Sequence, residues 1–253
     1  MFSHPRVKNH ALIYFKGGVM KIVVLSDDKA GRGDLLAKHS LSLYIERYGE
    51  YILFDLGVDS TILEHNSSVL DVSIDLVDYA VISHEHTPHY GGFKYLSSQA
   101  PFTDVYIPFT TSESLGRTLK LHGLKPIEVT KWMKLSDGVY VSKPYYGPPY
   151  EHILVLDEPG GLILVTGCLH PGLNALQDAA KTLGKRIKGI IGGLHLHNAP
   201  EKIVVEFAEK ITYELKPDFI APLHCSGQRL IDILRKHGNI NILNLECGDA
   251  LNI

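Results

Sequence analysis

Ser83-His84-Glu85-His86-Thr87-Pro88-His89-Tyr90-Gly91-Gly92 is the stretch on which the reading of this chain turns. It follows Tyr79-Ala80-Val81-Ile82, a short apolar run of the kind that forms a buried strand. In an extended segment residues two apart project to the same side, so His84 and His86 can grip one ion. His89 falls after a turn, near the start of a helix, where it can face the same cavity or a second ion. Thr87 suits the capping position of that helix and Pro88 its first residue. Neutral imidazole suits zinc, manganese, iron or nickel, and ligand type alone does not choose among them.

The same arrangement recurs along the chain. Leu162–Thr166 runs through Gly167-Cys168-Leu169 into His170, and Lys188–Ile191 runs through Gly192-Gly193-Leu194 into His195. Phe219–Leu223 runs into His224, and Tyr51–Phe54 ends in Asp55-Leu56-Gly57. Histidine is 14 of 253 residues, too few for four strand ends to carry it by chance. Ligands in open α/β proteins gather beyond the carboxyl ends of strands, and imidazoles converging there make a metal site.

Further apolar runs are read at Lys21–Leu25, Leu41–Ile45, Val105–Ile107, Val139–Val141, Ile153–Leu156 and Ile240–Leu245. Helical patterns fall at Ser112–Leu121, Leu173–Leu183, Pro200–Leu215 and Gly227–His237. The first half is strand-rich with hairpin-like spacing, and the second alternates strand and helix. That mixture predicts two packed sheets covered by helices rather than one parallel sheet. Ala11–Phe15 and Val19–Leu25 read as a hairpin joined by Lys16-Gly17-Gly18. The strand pattern is also complete from Met20, which would make residues 1–19 an N-terminal extension and Met20 an alternative start.

The chain is long enough for one large α/β domain or two small ones. Hydrophobic residues are 45% and charged residues 21%, the balance of a folded globular chain. A net charge of −3 with no basic run argues against a general nucleic-acid or membrane-surface binder. No apolar stretch is long enough to cross a bilayer, and the N-terminus lacks the pattern of a signal peptide. Cys168, Cys225 and Cys247 are three in number and not a disulfide framework, which points to the cytoplasm.

Taken with its context, the histidine stretch resembles the signature of the metallo-β-lactamase superfamily, His-x-His-x-Asp-His after a strand. Asp55-Leu56-Gly57 is similar to that superfamily's upstream Asp-x-Gly, and His224 to its C-terminal ligand histidine. Within the superfamily the chain resembles a subgroup named 7,8-dihydropterin-6-methyl-4-(β-D-ribofuranosyl)aminobenzene-5′-phosphate synthase. Lys38-His39-Ser40-Leu41-Ser42, Thr166-Gly167-Cys168-Leu169-His170-Pro171-Gly172, Gly192-Gly193-Leu194-His195-Leu196 and Pro222-Leu223-His224-Cys225-Ser226-Gly227 carry that likeness. It runs from about residue 21 to the C-terminus and implies an αββα sandwich of two mixed sheets flanked by helices, spanning residues 1–253 as one domain.

The resemblance departs at one place. Where the superfamily has the aspartate of its signature, normally a ligand of the second metal, this chain has Pro88, which cannot ligate. The implied primary set is His84, His86 and His170, with Cys168 as a candidate thiolate ligand. His89 and His224 would hold a second, weaker ion, and Asp27 or Asp28 would supply the missing carboxylate. Zinc is the expected metal, with manganese, iron or nickel as alternatives. Asp55 is expected to orient a ligand imidazole.

Each of these has a plainer reading. Cys168 can be a small buried residue, His195 either a substrate contact or a satisfied histidine behind the ligands, and His197 a surface residue. Cys225 and Cys247 are read as structural. Gly172 and Ser226 stand at helix starts beside His170 and His224, where backbone N–H groups can receive an anion. Lys143–Tyr150 is a Pro- and Tyr-rich rim loop able to offer aromatic faces. The expected activity is that of a metal-dependent hydrolase or transferase acting on a small phosphorylated molecule. For the subgroup, this would be condensation of a pterin diphosphate with a ribosylated aminobenzene phosphate. The rival from another class is a non-catalytic sensor that binds a metal or small ligand through a degenerate second site.

Overall fold

The structure, a computed structural model, describes residues 13–14 and 20–253. In chain order its first strands are β1 (Ile13–Tyr14), β2 (Met20–Ser26), β3 (Ser42–Arg47), β4 (Glu50–Phe54), β5 (Tyr79–Val81), β6 (Asp104–Pro108) and β7 (Lys125–Val129). Next come β8 (Met133–Ser136), β9 (Val139–Val141), β10 (Leu154–Glu158) and β11 (Gly161–Thr166). The last are β12 (Ile187–Gly192), β13 (Phe219–Pro222), β14 (Asn241–Ile242) and β15 (Ala250–Asn252). One sheet has the order β1-β15-β2-β3-β4-β5-β6-β7 and the other β14-β13-β12-β11-β10-β9-β8. Both are mixed: β2 to β4 are antiparallel and β4 to β7 parallel, while β8 to β11 are antiparallel and β11 to β14 parallel.

The apolar runs serve this architecture because their two faces go to different layers. Ile22 and Val24 of β2 pack in the layer between the sheets with Leu154, Leu156, Ile163 and Val165. Val23 and Leu25 turn the other way, toward Leu63 of helix Ser60–Val69 and Leu96 of helix Phe93–Gln99. On the second sheet Val155 and Leu164 face helices Leu173–Leu183, Glu201–Lys210 and Gln228–His237. Strands buried on both faces need unbroken hydrophobic sequence. Each such Val or Leu contributes about 1.5–3 kcal/mol relative to exposure. The result is the expected αββα sandwich of two mixed sheets flanked by helices.

The N-terminal hairpin is not formed. β15 lies between β1 and β2, parallel to β1 with Ile13 opposite Leu251, and antiparallel to β2 with Ile22 opposite Leu251. The C-terminal strand occupies the edge of β2 that a hairpin would have used. The proposed turn at Lys16-Gly17-Gly18 lies outside the described residues.

At the strand ends away from the histidines, Arg47 of β3 reaches Glu158 of β10, Nε to Oε1 2.5 Å, with both side chains buried. Arg47 also donates to the carbonyls of Asp137 and Asp157. A cavity of about 870 Å³ opens there, lined among others by Tyr48, Glu50, Lys185 and Arg186.

Candidate metal centre

Tight backbone crossings assemble the histidine end. Asp55, Leu169, His195 and His224 take left-handed φ of 55°, 57°, 53° and 49°. Such conformations cost an L-residue about 1–2 kcal/mol each and cluster at functional sites. Gly91 and Gly92 are required by close approach: a Cβ on them would lie 1.8 Å from the Val58 carbonyl oxygen and 2.1 Å from that of Leu56. In that contact Leu56 N donates to His89 O at 2.7 Å and Gly91 N to Gly57 O at 2.8 Å. The histidine stretch is thereby locked onto the Asp55-Leu56-Gly57 segment. Its helix spans Thr87–Tyr90 with His86 as the uncapped N-terminal residue, so Thr87 is not the cap and Pro88 is the second helical residue, not the first. Proline still fits, because a first-turn N–H has no partner within the helix.

Four imidazoles are held from behind by oxygens. His84 Nδ1 lies 2.9 Å from Ser83 Oγ, which donates to Asp55 Oδ2 at 2.9 Å. Asp55 also accepts from Ser83 N at 2.7 Å and meets His89 Nδ1 at 2.6 Å. His170 Nδ1 is 2.8 Å from Glu151 Oε2, and His224 Nδ1 is 2.7 Å from Asp28 Oδ1. With Nδ1 engaged, Nε2 of each ring is free to face inward. His84 Nε2 lies 3.1 Å from His86 Nδ1, and His89 Nε2 lies 3.3 Å from Cys168 Sγ. Ring centroids are 4.6 Å apart for His84 and His170 and 5.0 Å for His89 and His224. The ligand atoms of His84, His86 and His170 fall within 4.8 Å of one another, as do those of His84, His89 and Cys168. Imidazoles braced by oxygen acceptors, with their second nitrogens converging, match the donor set of a divalent metal.

Burial favours the ligating protonation state. It pushes His84 well below its usual range, with His89 adding to the effect, and it lowers His89 to about 3, with His224 second. Both rings are therefore neutral at pH 7, as a metal ligand must be. For His224 burial pulls down, but the Asp28 hydrogen bond and the Cys225 and Asp28 charges outweigh it and raise the ring. Asp28 is lowered to about 2: burial raises it, and hydrogen bonds to His224 and His39 prevail. Burial raises Asp27 to about 6 while its Oδ1 accepts from His224 N at 2.6 Å. Asp55 is pushed well up by burial against the two Ser83 donors.

Several residues lie where the sequence places them, and others are additions. Asp55 stands behind His89 and Ser83 as the expected orienting group, whereas Asp27 and Asp28, expected as candidates for the missing carboxylate, stand behind His224 and hold its amide and its ring. His195 is exposed, its ring 4.5 Å from that of His170. Ser226, expected at a helix start, has its own amide bound to Leu223 O at 3.1 Å and its hydroxyl to the same oxygen at 2.7 Å, and helix Gln228–His237 begins two residues later. Gly172 begins helix Leu173–Leu183, but its own amide is bound to Leu169 O at 2.9 Å, leaving only later first-turn amides. Cys225, read as structural, has its Sγ 3.2 Å from His195 N.

Glu151 was missed. Fully buried, it accepts from the amides of Cys168, Leu169 and His170 at 2.8–2.9 Å as well as meeting the His170 ring. Burial alone would raise it, but His170 as donor and the His84 and His170 charges hold it well below the usual carboxylate range. Its one sequence signal is a carboxylate two residues before the apolar run Ile153–Leu156. His39 was not named as a site residue either, although its ring lies 4.1 Å from that of His224 and its Nδ1 3.0 Å from Asp28.

Comparison with known proteins agrees with this architecture. Aligned over 251 residues, an uncharacterised protein of Methanocaldococcus jannaschii is 27% identical, covering 86% of this chain and 95% of its own. The 7,8-dihydropterin-6-methyl-4-(β-D-ribofuranosyl)-aminobenzene-5′-phosphate synthase of the same organism is 26% identical over 287 residues, covering 92% of this chain and 96% of its own. Among solved structures, a metal-dependent hydrolase of the β-lactamase superfamily superposes with a TM-score of 0.79 at 24% identity, covering 92% of this chain and 99% of its own. Residues 37–176, more than half of the chain, match the metallo-β-lactamase superfamily itself. With its sandwich and strand-end histidines, the chain belongs to the metallo-β-lactamase superfamily.

Proposed function

We propose that the chain is a metal-dependent enzyme acting on a small phosphorylated substrate. The observation that carries this reading is the convergence of imidazoles braced by Ser83, Asp55, Glu151 and Asp28. In this reading His84, His86 and His170 hold one ion. His89 and His224 hold a second less tightly, since Pro88 brings no carboxylate. A divalent ion, zinc first and manganese, iron or nickel as alternatives, supplies Lewis acidity toward a phosphoryl oxygen. The chain's own groups bind and orient. His39, oriented by Asp28, lines a recess of about 310 Å³, where its ring can hold a proton near a departing oxygen. The first-turn amides beyond Gly172 can receive anionic oxygens.

Two chemistries fit: hydrolysis of a phosphoester, and condensation of a dihydropterin with ribofuranosylaminobenzene phosphate. The second is supported by the relative's name and by aromatic rings at the rim. Tyr146 and Tyr150 have ring centroids 5.2 Å apart, and Phe109 lies 5.7 Å from Tyr150. Their loop is held against the centre, because a Cβ on Gly147 would come within 2.6 Å of the His170 carbonyl. Flat heterocycles stack on such faces. Tyr145 is packed away from this role, its ring against the helix-side core and under the Lys143 ammonium, 5.2 Å from the centroid.

The test is a panel of phosphodiesters, phosphomonoesters, lactones, thioesters and pterin diphosphate with an aminobenzene acceptor, assayed with several metals. Turnover of a phosphorylated member, lost in His84→Ala, is the expected result. Turnover of lactones or thioesters alone would reject the phosphate. Silence with saturable binding of a small ligand would replace the enzyme by a sensor, the reading favoured by Pro88.

A further inference from the structure

Three neighbouring parallel strands, β11, β12 and β13, each deliver one residue to a second point beside the histidines. Cys168 comes two residues after β11, His195 three after β12, and Cys225 three after β13. Their ligand atoms lie within 4.8 Å of one another. Adjacent strands are about 4.8 Å apart, so residues leaving the same edge of three of them meet without a long loop. Cys168 and Cys225 are both buried and both free thiols, with 4% and 8% of their surface exposed.

Cysteine in a core is ordinarily a small apolar filler. These two thiols have polar neighbours instead: Cys168 Sγ faces His89 Nε2 at 3.3 Å, and Cys225 Sγ faces the His195 amide at 3.2 Å. The backbone is shaped around them as well. A Cβ on Gly193 would lie 2.8 Å from Cys225 Sγ and 2.1 Å from the Gly167 carbonyl oxygen, so only glycine leaves room for the sulfur. Leu169, His195 and His224, next to or within the trio, are all held in left-handed conformations. Charge points the same way. A divalent ion surrounded by neutral imidazoles keeps its full charge in a buried setting, whereas two thiolates cancel it. With Pro88 in place of a carboxylate, the two sulfurs can bring negative charge directly to an ion between them.

We propose that Cys168, His195 and Cys225 form a thiolate-rich position for a soft or borderline divalent ion such as zinc or iron(II). The Cys168 sulfur stands at its boundary with the histidine set. Binding forms two metal–sulfur bonds and one metal–nitrogen bond, and the two thiol protons leave to solvent. The position is separate from the His84, His86 and His170 set and favours zinc or iron(II) over manganese, because sulfur ligands select softer ions. It holds whether the chain is an enzyme or a sensor, and it gives His195 a ligand role in place of a substrate contact.

Full-length protein, stripped of metal and kept reduced, is titrated separately with cobalt(II) and zinc(II). Bound ion is counted by elemental analysis, the sulfur-to-cobalt charge-transfer band is recorded, and reactive thiols are counted with and without zinc. Wild type is expected to show the band and to have two thiols protected by zinc. Cys225→Ser should lose most of the band and about one ion per chain. His195→Ala, at an exposed position that leaves both sulfurs in place, should weaken zinc protection about tenfold or more. His86→Ala should lose an ion and keep the band. The proposal is overturned if Cys225→Ser and His195→Ala, both folded by circular dichroism, keep the wild-type ion count and band. It is equally overturned if zinc protects no thiol in the reduced wild type.

Discussion

The two ends of the sandwich handle charge in opposite ways. At the Arg47 end cations sit on carboxylates: Arg47 on Glu158, Lys185 on Asp157, and Arg186 on Asp218. At the histidine end the carboxylates of Asp55, Glu151 and Asp28 hold imidazoles and amides, and the imidazoles keep a second nitrogen for something else. The cavity at the first end is about 870 Å³, against about 310 Å³ for the recess beside His39 and His195. Size therefore does not mark the site. A neutralised pair has nothing left to offer a ligand, whereas a donor braced from behind does.

The sharpest way to break this contrast is to remove a brace. Glu151→Ala leaves three buried amides and an imidazole without their acceptor, and is expected to cost about 3–5 kcal/mol. It should also deprive His170 of its orientation, so that elemental analysis finds less bound metal. Retained metal in a destabilised variant would mean that the brace is structural only.

At the opposite end Glu158→Leu strands the buried Arg47 and should cost about 3 kcal/mol by denaturant unfolding with metal content unchanged. Arg47→Met combined with Glu158→Leu should recover most of that loss, because a buried pair replaced whole by apolar groups is near neutral. A double variant as unstable as the single one would assign the pair a role beyond neutralisation.

Acidity separates the ends a third way. Asp28 is depressed in the folded chain, so its contribution is complete above its unfolded value of about 3.9 and is lost as pH falls through about 2. His224 is raised, so its contribution is complete below about 6.5 and is lost as pH rises through its raised value. The metal-free protein should thus gain stability from this pair in weakly acidic solution, where ion affinity at His224 falls because the ring must release a proton. Asp28→Asn should flatten both trends, as followed by thermal unfolding and by zinc titration across pH. Unaltered profiles would remove the pair from the account.

Smallest of all should be the effect of Pro88→Asp on folding, under about 1 kcal/mol, since aspartate is welcome in a first helical turn. Its effect on metal should be a gain of about tenfold in affinity for the weaker ion, read by calorimetric titration. No gain would show that sulfur or Asp28 already supplies the charge.

Much of this was legible in the sequence because burial on two faces writes itself as continuous apolar runs. Helix Leu173–Leu183 has the predicted bounds, and β9 coincides with Val139–Val141. β7 escaped notice because Pro126 interrupts it, which an edge strand tolerates. β15 escaped because three residues carry no periodicity, and its partners β1 and β2 lie at the far end of the chain. Helix Ser60–Val69 is mostly polar, anchored inward chiefly by Ile62 and Leu63 and capped by Asp59. At the site, histidines after strands were visible, since the strand itself dictates where they emerge. The Glu151 brace and the Cys225 neighbourhood were not, because they depend on which strand ends lie side by side.

One consequence concerns mechanics. His84, His86 and His89 leave the sheet containing β5, while His170 and His224 leave the sheet containing β11 and β13. Arg47 and Glu158 likewise belong one to each sheet, at the opposite edge. On the proposed assignment the loaded molecule is a book clasped at both edges, and the metal-free one keeps at the histidine edge only the lighter stitching of His224 to Asp27 and Asp28 and of the His152 amide to the Ser83 carbonyl. An ion present at a thousand times its dissociation constant adds about 4 kcal/mol to that edge. Metal removal should therefore let the pages fan from the histidine edge, with amide exchange rising first at β5 and β13 while the Arg47 edge stays shut.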